Sequence, residues 1–187
     1  MSPLRRRREG LTDYRKRKKF IQSRLPRVVC RISNKYVTAA IVTVDLKGDR
    51  TVASATSKEL SGLGWHFGVN NVPASYLTGC LLARRASGLN LGDVILDIGL
   101  YTPTKGNRLF ALAKGCVDSG LKVLFNESVA PSEGRIRGDH LAEFAGKQQT
   151  GVAFSGLRAA AVDPKSITEE FNSLVRKIKE SEVSKRV

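Results

Sequence analysis

Few residues of this chain combine the types and spacing that covalent chemistry needs. Asp45, Asp93 and Asp97 fall on or beside segments that read as strands, and clustered acids on a sheet hold magnesium for phosphodiester hydrolysis. Asp93 and Asp97 lie at the two ends of one strand, however, with no fourth acid well placed, so strand-end roles are preferred. Cys30, Cys80 and Cys116 stand 50 and 36 residues apart, and His66 and His140 are not paired, which argues against a zinc site. An odd, scattered set of cysteines is no disulfide framework and suits a reducing cytosol. Cys80 and Cys116 fall on apolar helix faces and read as core residues, because a catalytic thiol wants a His beside it in a cationic setting. Gly62, Gly64 and Gly68 lack the G-x-G-x-x-G spacing, and Thr104-Lys105-Gly106 lacks the Gly-Lys-Ser/Thr order of a phosphate loop. No metal, cofactor or small-molecule substrate is expected.

Three polar patches suit binding instead. Ser33-Asn34-Lys35-Tyr36 sits at a hairpin tip, where Asn and Lys can bond phosphates or base edges while Tyr stacks; an ordinary turn explains it as well. Trp65-His66-Phe67, with Asn70 and Asn71, is an aromatic and amide cluster in a glycine-rich stretch. It suits stacking on unpaired bases, and equally a Trp that plugs the core. Tyr101–Arg108 follows a strand at its carboxyl end, and Lys105, Asn107 and Arg108 stand at a helix N-terminus suited to phosphate.

The distribution of charge points the same way. Of a net +15 over 187 residues, residues 1–31 carry +10. The cations are Arg5, Arg6, Arg7, Arg8, Arg15, Lys16, Arg17, Lys18, Lys19, Arg24, Arg27 and Arg31, against Glu9 and Asp13 alone. Charge this dense repels itself and needs a polyanion; nucleic acid fits because phosphate contacts release condensed counterions. A membrane surface would need an apolar helix face, and Leu4, Leu11, Tyr14, Phe20 and Ile21 are too few and scattered. Gly10, Tyr14 and Phe20 are interleaved among the cations like docking points. The segment is expected to be disordered alone and to order on nucleic acid. No apolar run reaches transmembrane length, and no apolar stretch behind the arginines makes a secretory signal.

Behind these residues the chain alternates. Hydrophobic residues make up 41%, enough for a core. Arg27–Ser33, Tyr36–Val44 and Arg50–Thr56 are rich in β-branched residues and read as a meander, with turns at Ser33-Asn34-Lys35 and Leu46–Asp49. Leu60–Asn71 reads as a loop, and Pro73 opens a helix ended by Gly88. Asp93–Ile98 reads as a buried strand, Asn107–Asp118 as a helix ended by Gly120, and Lys122–Phe125 as a last short strand. Asn126–Gly138 is polar and turn-rich, Asp139–Ala145 reads as a short helix, and residues 146–162 have no clear pattern. Asp163-Pro164 starts an amphipathic helix with Ile167, Phe171, Leu174, Val175 and Ile178 on one face. Two strand–helix–strand units after a meander give an α/β fold, a mixed sheet with packed helices. The division is a basic arm over 1–26, an α/β domain over 27–145, and a C-terminal extension with its helix over 146–187.

Several segments together resemble a family: Arg6–Tyr14 followed by Arg15–Lys19, Ser33-Asn34-Lys35, Asp97-Ile98-Gly99, Thr102–Arg108, Lys114-Gly115 and Pro131–His140. The chain resembles the large-subunit ribosomal proteins that bind 5S ribosomal RNA, the eighteenth in the bacterial large-subunit numbering, in their archaeal form. That resemblance implies an α/β domain, loosely RNase-H-like, with a basic extended N-terminal arm. It implies a structural role without catalysis: docking 5S rRNA onto the central protuberance against large-subunit rRNA and neighbouring proteins. It marks Arg5–Lys19, Asn34-Lys35 and Lys105–Arg108 as facing RNA, and suggests roles for Trp65, His66, Asn70 and Asn71. Leu100-Tyr101 departs from the more polar pair expected there. The alternatives are a metal-dependent nuclease on an RNase-H-like sheet and a DNA-architectural protein.

Overall fold

The computed structural model describes residues 5–45, 48–147, 154, 157 and 162–180. The arm holds two helices, Arg5–Arg8 (α1) and Tyr14–Ser23 (α2). Strands Arg27–Ile32 (β1), Val37–Asp45 (β2) and Gly48–Thr56 (β3) form the antiparallel meander, with Arg27 opposite Val42 and Ile32 opposite Val37. Helices Lys58–Leu63 (α3) and Val72–Ala86 (α4) lead to Val94–Asp97 (β4), which runs parallel to β1. Helix Arg108–Asp118 (α5) leads to Val123–Leu124 (β5), parallel to β4. Sheet order is β3-β2-β1-β4-β5. Short turns permit antiparallel pairs, whereas the parallel pairs need helical crossovers, so the mixed sheet follows from the connections. Glu133–Arg137 (α6) and Asp139–Lys147 (α7) follow, and a 3₁₀ turn Pro164–Ser166 capped by Asp163 leads into Ile167–Glu180 (α8).

Two apolar clusters share α4. On the sheet side, Val28, Cys30, Val37, Ala39 and Ile41 meet Leu82, Leu109, Leu112 and Cys116. On the far side, Leu60, Trp65, Leu77 and Cys80 meet Ile167, Phe171, Leu174 and Ile178 of α8. α4 is buried on nearly every side, and its buried Ser75 and Thr78 hydroxyls donate to the helix's own carbonyls at Asn71 and Ala74. It crosses α5 at backbone contact: a Cβ on Gly79 would lie 2.1 Å from the Leu112 carbonyl oxygen, and one on Gly115 2.2 Å from that of Tyr76. Burial pushes the Cys30 thiol up to about 12 and that of Cys80 to about 11, so both are inert core residues.

Three segments differ from the sequence reading. Leu60–Asn71 is not all loop, since α3 runs to Leu63 and ends at Gly64, whose φ of +102° suits glycine. Asn126–Gly138 contains a 3₁₀ turn, Glu127–Val129, and α6, each too short to leave a periodic signal. Within the arm, residues expected to be extended form α2, because Asp13 accepts from the backbone N–H groups of Arg15 and Lys16. Leu46 and Lys47 of the second turn, most of 146–162, and the last residues of the expected C-terminal helix lie outside the described residues.

Candidate nucleic-acid interface

Because β1 and β4 are parallel, their carboxyl ends lie side by side at one edge of the sheet. Beyond β1, Ser33 closes the hairpin: its N–H and hydroxyl both donate to the Tyr36 carbonyl, at 2.8 and 2.9 Å. Asn34 and Lys35 are left exposed at the tip, and Tyr36 is half-buried. Asn70, just before α4, donates from Nδ2 to the carbonyls of Ser33 and Asn34 at 3.1 and 2.9 Å. Arg108, at the start of α5, donates from Nη1 to Asn70 Oδ1 and O at 2.7 and 2.9 Å. One amide therefore joins the hairpin tip and the starts of two helices.

Both helix starts are capped by asparagine. Asn71 Oδ1 accepts from the Ala74 N–H at 2.9 Å, and Asn107 Oδ1 from the Leu109 N–H at 3.5 Å. A cleft of about 440 Å³ runs between them, with Lys105, Arg108, Arg135 and His140 in its lining. Lys105 and Arg135 are exposed and have no hydrogen-bond or ion-pair acceptor among the described residues. His140 is held below the ordinary imidazole range, first by partial burial and then by the Arg135 guanidinium. Among the described residues, the cleft's lining holds no carboxylate.

On the other flank, Asp97 ends β4. Its carboxylate accepts from the Gly99 N–H at 2.8 Å and meets Arg27 at 3.5 Å and Arg31 at 3.8 Å. That is a strand-end role, with the acid spent on arginines. The Tyr101 hydroxyl accepts from the Ile32 N–H and donates to the Ile32 carbonyl, tying the loop after β4 to the end of β1.

The arm docks beside this flank. Arg17 meets Asp49 at 3.0 Å, Arg27 meets the same carboxylate at 2.9 Å, and the Phe20 ring covers Arg27 with its centroid 5.8 Å from Cζ. Arg5 pairs with Glu9. Arg6, Arg7, Arg8, Arg15, Lys16, Lys18 and Lys19 have no side-chain acceptor among the described residues, and Tyr14 and Arg24 are exposed.

The edge thus brings together Asn34, Lys35, Asn70, Asn71, Lys105, Asn107 and Arg108, with Arg31 and the arm alongside. Three expected residues, Trp65, Arg27 and His66, are not on it. Trp65 is 1% exposed, donates from Nε1 to the Gly68 carbonyl and packs on Phe67, so it is core and cannot stack on RNA. Arg27 is 3% exposed and spent on two carboxylates, because β1 points it inward at the acids of β3 and β4. His66 is exposed, but its Nδ1 faces Glu170 of α8 at 3.3 Å. Asn70 and Asn71 serve the protein's own backbone first. Arg135 and His140 carry no signal as site residues in the sequence, since only the packing of α6 on α4 and of α7 on α6 brings them to the Lys105 cleft.

The model for "Ribosomal large subunit proteins 60S L5, and 50S L18" matches residues 2–93. "Large ribosomal subunit protein uL18" of Korarchaeum cryptofilum is 45% identical over 179 residues, covering 94% of this chain and 92% of the relative. The protein of the same name from Thermofilum pendens is 41% identical over 185 residues, covering 96% and 94%. That from Halobacterium salinarum is 48% identical over 143 residues, covering 76% and 78%. Similarity at this level over nearly the whole length, on a mixed sheet with a basic carboxyl edge, makes the chain a member of the uL18 family of large ribosomal subunit proteins.

Proposed function

We propose that the chain binds 5S rRNA and anchors it to the large-subunit rRNA in the central protuberance, beside neighbouring ribosomal proteins. Membership of the uL18 family gives it a structural, non-enzymatic role in the large ribosomal subunit, in the cytoplasm. The observation that supports the RNA reading is the continuity of the carboxyl edge. The hairpin tip, Asn70 and Arg108 are joined by hydrogen bonds, Lys105 lines the adjoining cleft, and Arg6 and Lys16 of the arm lie across from Arg31 and Tyr101. Such a rigid, basic surface suits phosphate contacts and shape recognition of folded RNA, whose deep narrow groove side chains cannot read.

Competition at physiological salt tests this reading. The full chain should prefer 5S rRNA over an unrelated folded RNA of similar size and over duplex DNA. Equal affinity for duplex DNA would favour an architectural DNA-binding role, and equal affinity for the unrelated RNA would remove 5S recognition.

A further inference from the structure

A cleft of about 590 Å³ lies between the arm and the flank around Asp97 and Tyr101, bordered by the contacts of Arg27, Arg31 and Asp97 described above. Arg6, Leu11 and Lys16 line it from the arm, and Arg31, Leu100 and Tyr101 from the domain. Leu11 and Leu100 are each 59% exposed, so two facing elements hold apolar side chains in the open. The acids in the lining are spent, Asp13 on the start of α2 and Asp97 on arginines and the Gly99 N–H. Arg6 and Lys16 have no acceptor among the described residues. Arg27, also in the lining and almost wholly buried, has its Nη atoms on Asp49 and Asp97 and its Nε without a partner among the described residues.

Apolar and aromatic walls under surplus positive charge complement a flat base on an anionic backbone. The volume lies within the roughly 300–1,000 Å³ of small-ligand pockets and cannot admit a duplex. RNA is read by sequence chiefly where unpaired bases can be splayed out and stacked on aromatic rings or guanidinium planes. The Arg31 guanidinium packs over Gly99, with Cζ and Nη1 each 3.0 Å from the position a Cβ on Gly99 would take, and Nη1 donates to the Cys30 carbonyl at 2.7 Å.

We propose that this cleft takes the base of an unpaired nucleotide of the bound RNA, stacked on Tyr101 and Arg31, with Arg6 and Lys16 on the flanking phosphates. The proposal rests on the RNA-binding reading. It assigns the arm two tasks, phosphate neutralisation and closure over one base.

The test is base-reactive chemical probing of the complex between the full chain and 5S rRNA. In the wild type, one unpaired base should be protected. Tyr101→Ser should lose that protection and weaken binding roughly 5- to 150-fold at fixed salt, the worth of one stacked base. The salt dependence should not change, because no cation is removed. Tyr101→Phe keeps the ring and should keep the protection. Since Tyr101 also holds Ile32, Leu11→Ser is the companion variant; it makes no such bond and should lose protection with unchanged thermal unfolding. Unchanged protection and affinity in both serine variants would overturn the proposal. So would shielding of the cleft by a purified neighbouring ribosomal protein while the base footprint stays in place. If the wild type does not bind 5S rRNA at all, the 5S reading fails separately. Titration with a short single-stranded RNA then tests the cleft alone: shifted amide resonances at Gly99–Tyr101 support it, and unmoved ones overturn it.

Discussion

Deleting residues 1–19 should remove most of the salt dependence of RNA binding, and the structure says how much. Nine Lys and Arg residues lie in that segment, but Arg5 is held by Glu9 and Arg17 by Asp49. Seven remain without an acceptor among the described residues. Each phosphate neutralised contributes about 0.7 to 0.9 to the slope of log K against log salt, so the arm should account for about 5 to 6. The truncated chain keeps Arg24, Lys35, Lys105 and Arg135 as exposed cations, with Arg31 partly engaged, for a residual slope of roughly 3 to 4. Affinity measured at four or five salt concentrations, with 5S rRNA and an unrelated RNA, gives both slopes. The truncated protein should bind more weakly yet still prefer 5S rRNA, since phosphate contacts position while shape and base contacts specify. An unchanged slope would show that the arm is not the phosphate clamp. Loss of discrimination together with affinity would show that the arm reads the RNA itself.

Phe171 is 4% exposed against Tyr76, so Phe171→Ala should cost about 3 to 5 kcal/mol in denaturant unfolding; a loss under about 0.5 kcal/mol would mean that α8 is undocked in solution. Lys105→Ala with Arg135→Ala should lower the RNA salt slope by roughly 1.5 to 2 and leave thermal unfolding unchanged, since neither side chain has an acceptor to lose among the described residues. Arg108→Ala should instead loosen the hairpin tip, read as faster amide exchange at Asn34 and Lys35, because Asn70 loses its charged donor. His140 should titrate below the ordinary 6.5 by NMR in the free protein. Its neutral form is favoured by folding, so that stabilisation is complete above 6.5 and is lost as pH falls through the folded value. Bound RNA should move the midpoint upward, and an unmoved midpoint would place phosphate elsewhere.

The fold was legible where local pattern and tertiary demand agree. The β-branched runs became β1 to β3, Pro73 and Asn107 marked the starts of α4 and α5, and the apolar face from Ile167 to Ile178 became the buried face of α8. It was not legible in α3 and α6, whose five or six residues offer no helical period, so their shape is set by packing under α4 and α8. Trp65 illustrates a related ambiguity. A Trp among glycines and asparagines looks like a stacking platform, yet those small residues let the chain turn tightly enough to bury it against Phe67, with its backbone N–H on the Leu60 carbonyl.

The candidate site was legible as composition and not as geometry. Sequence gives Arg24, Arg27 and Arg31 the same weight, because charge density does not show which cations already have a carboxylate. β1 carries Arg27 inward between Asp49 and Asp97, where it ties the sheet to the arm, while Arg24 stays exposed at the end of α2. Asp49 and Asp97 are therefore as much part of the interface as the arginines. They draw off Arg17, Arg27 and Arg31, fix where the arm lies, and leave the other cations facing outward. An acid-to-amide change makes that visible. Asp49→Asn should release Arg17 from its ion pair and loosen the docking of α2, exposing Phe20. It also adds one unpaired cation, so the RNA salt slope should rise by about 0.7 to 0.9 while the free arm exchanges its amides faster. A slope that falls, with amide exchange unaltered, would mean that Arg17 reaches phosphate only when Asp49 aims it, and that the docked geometry of the arm is the one RNA selects.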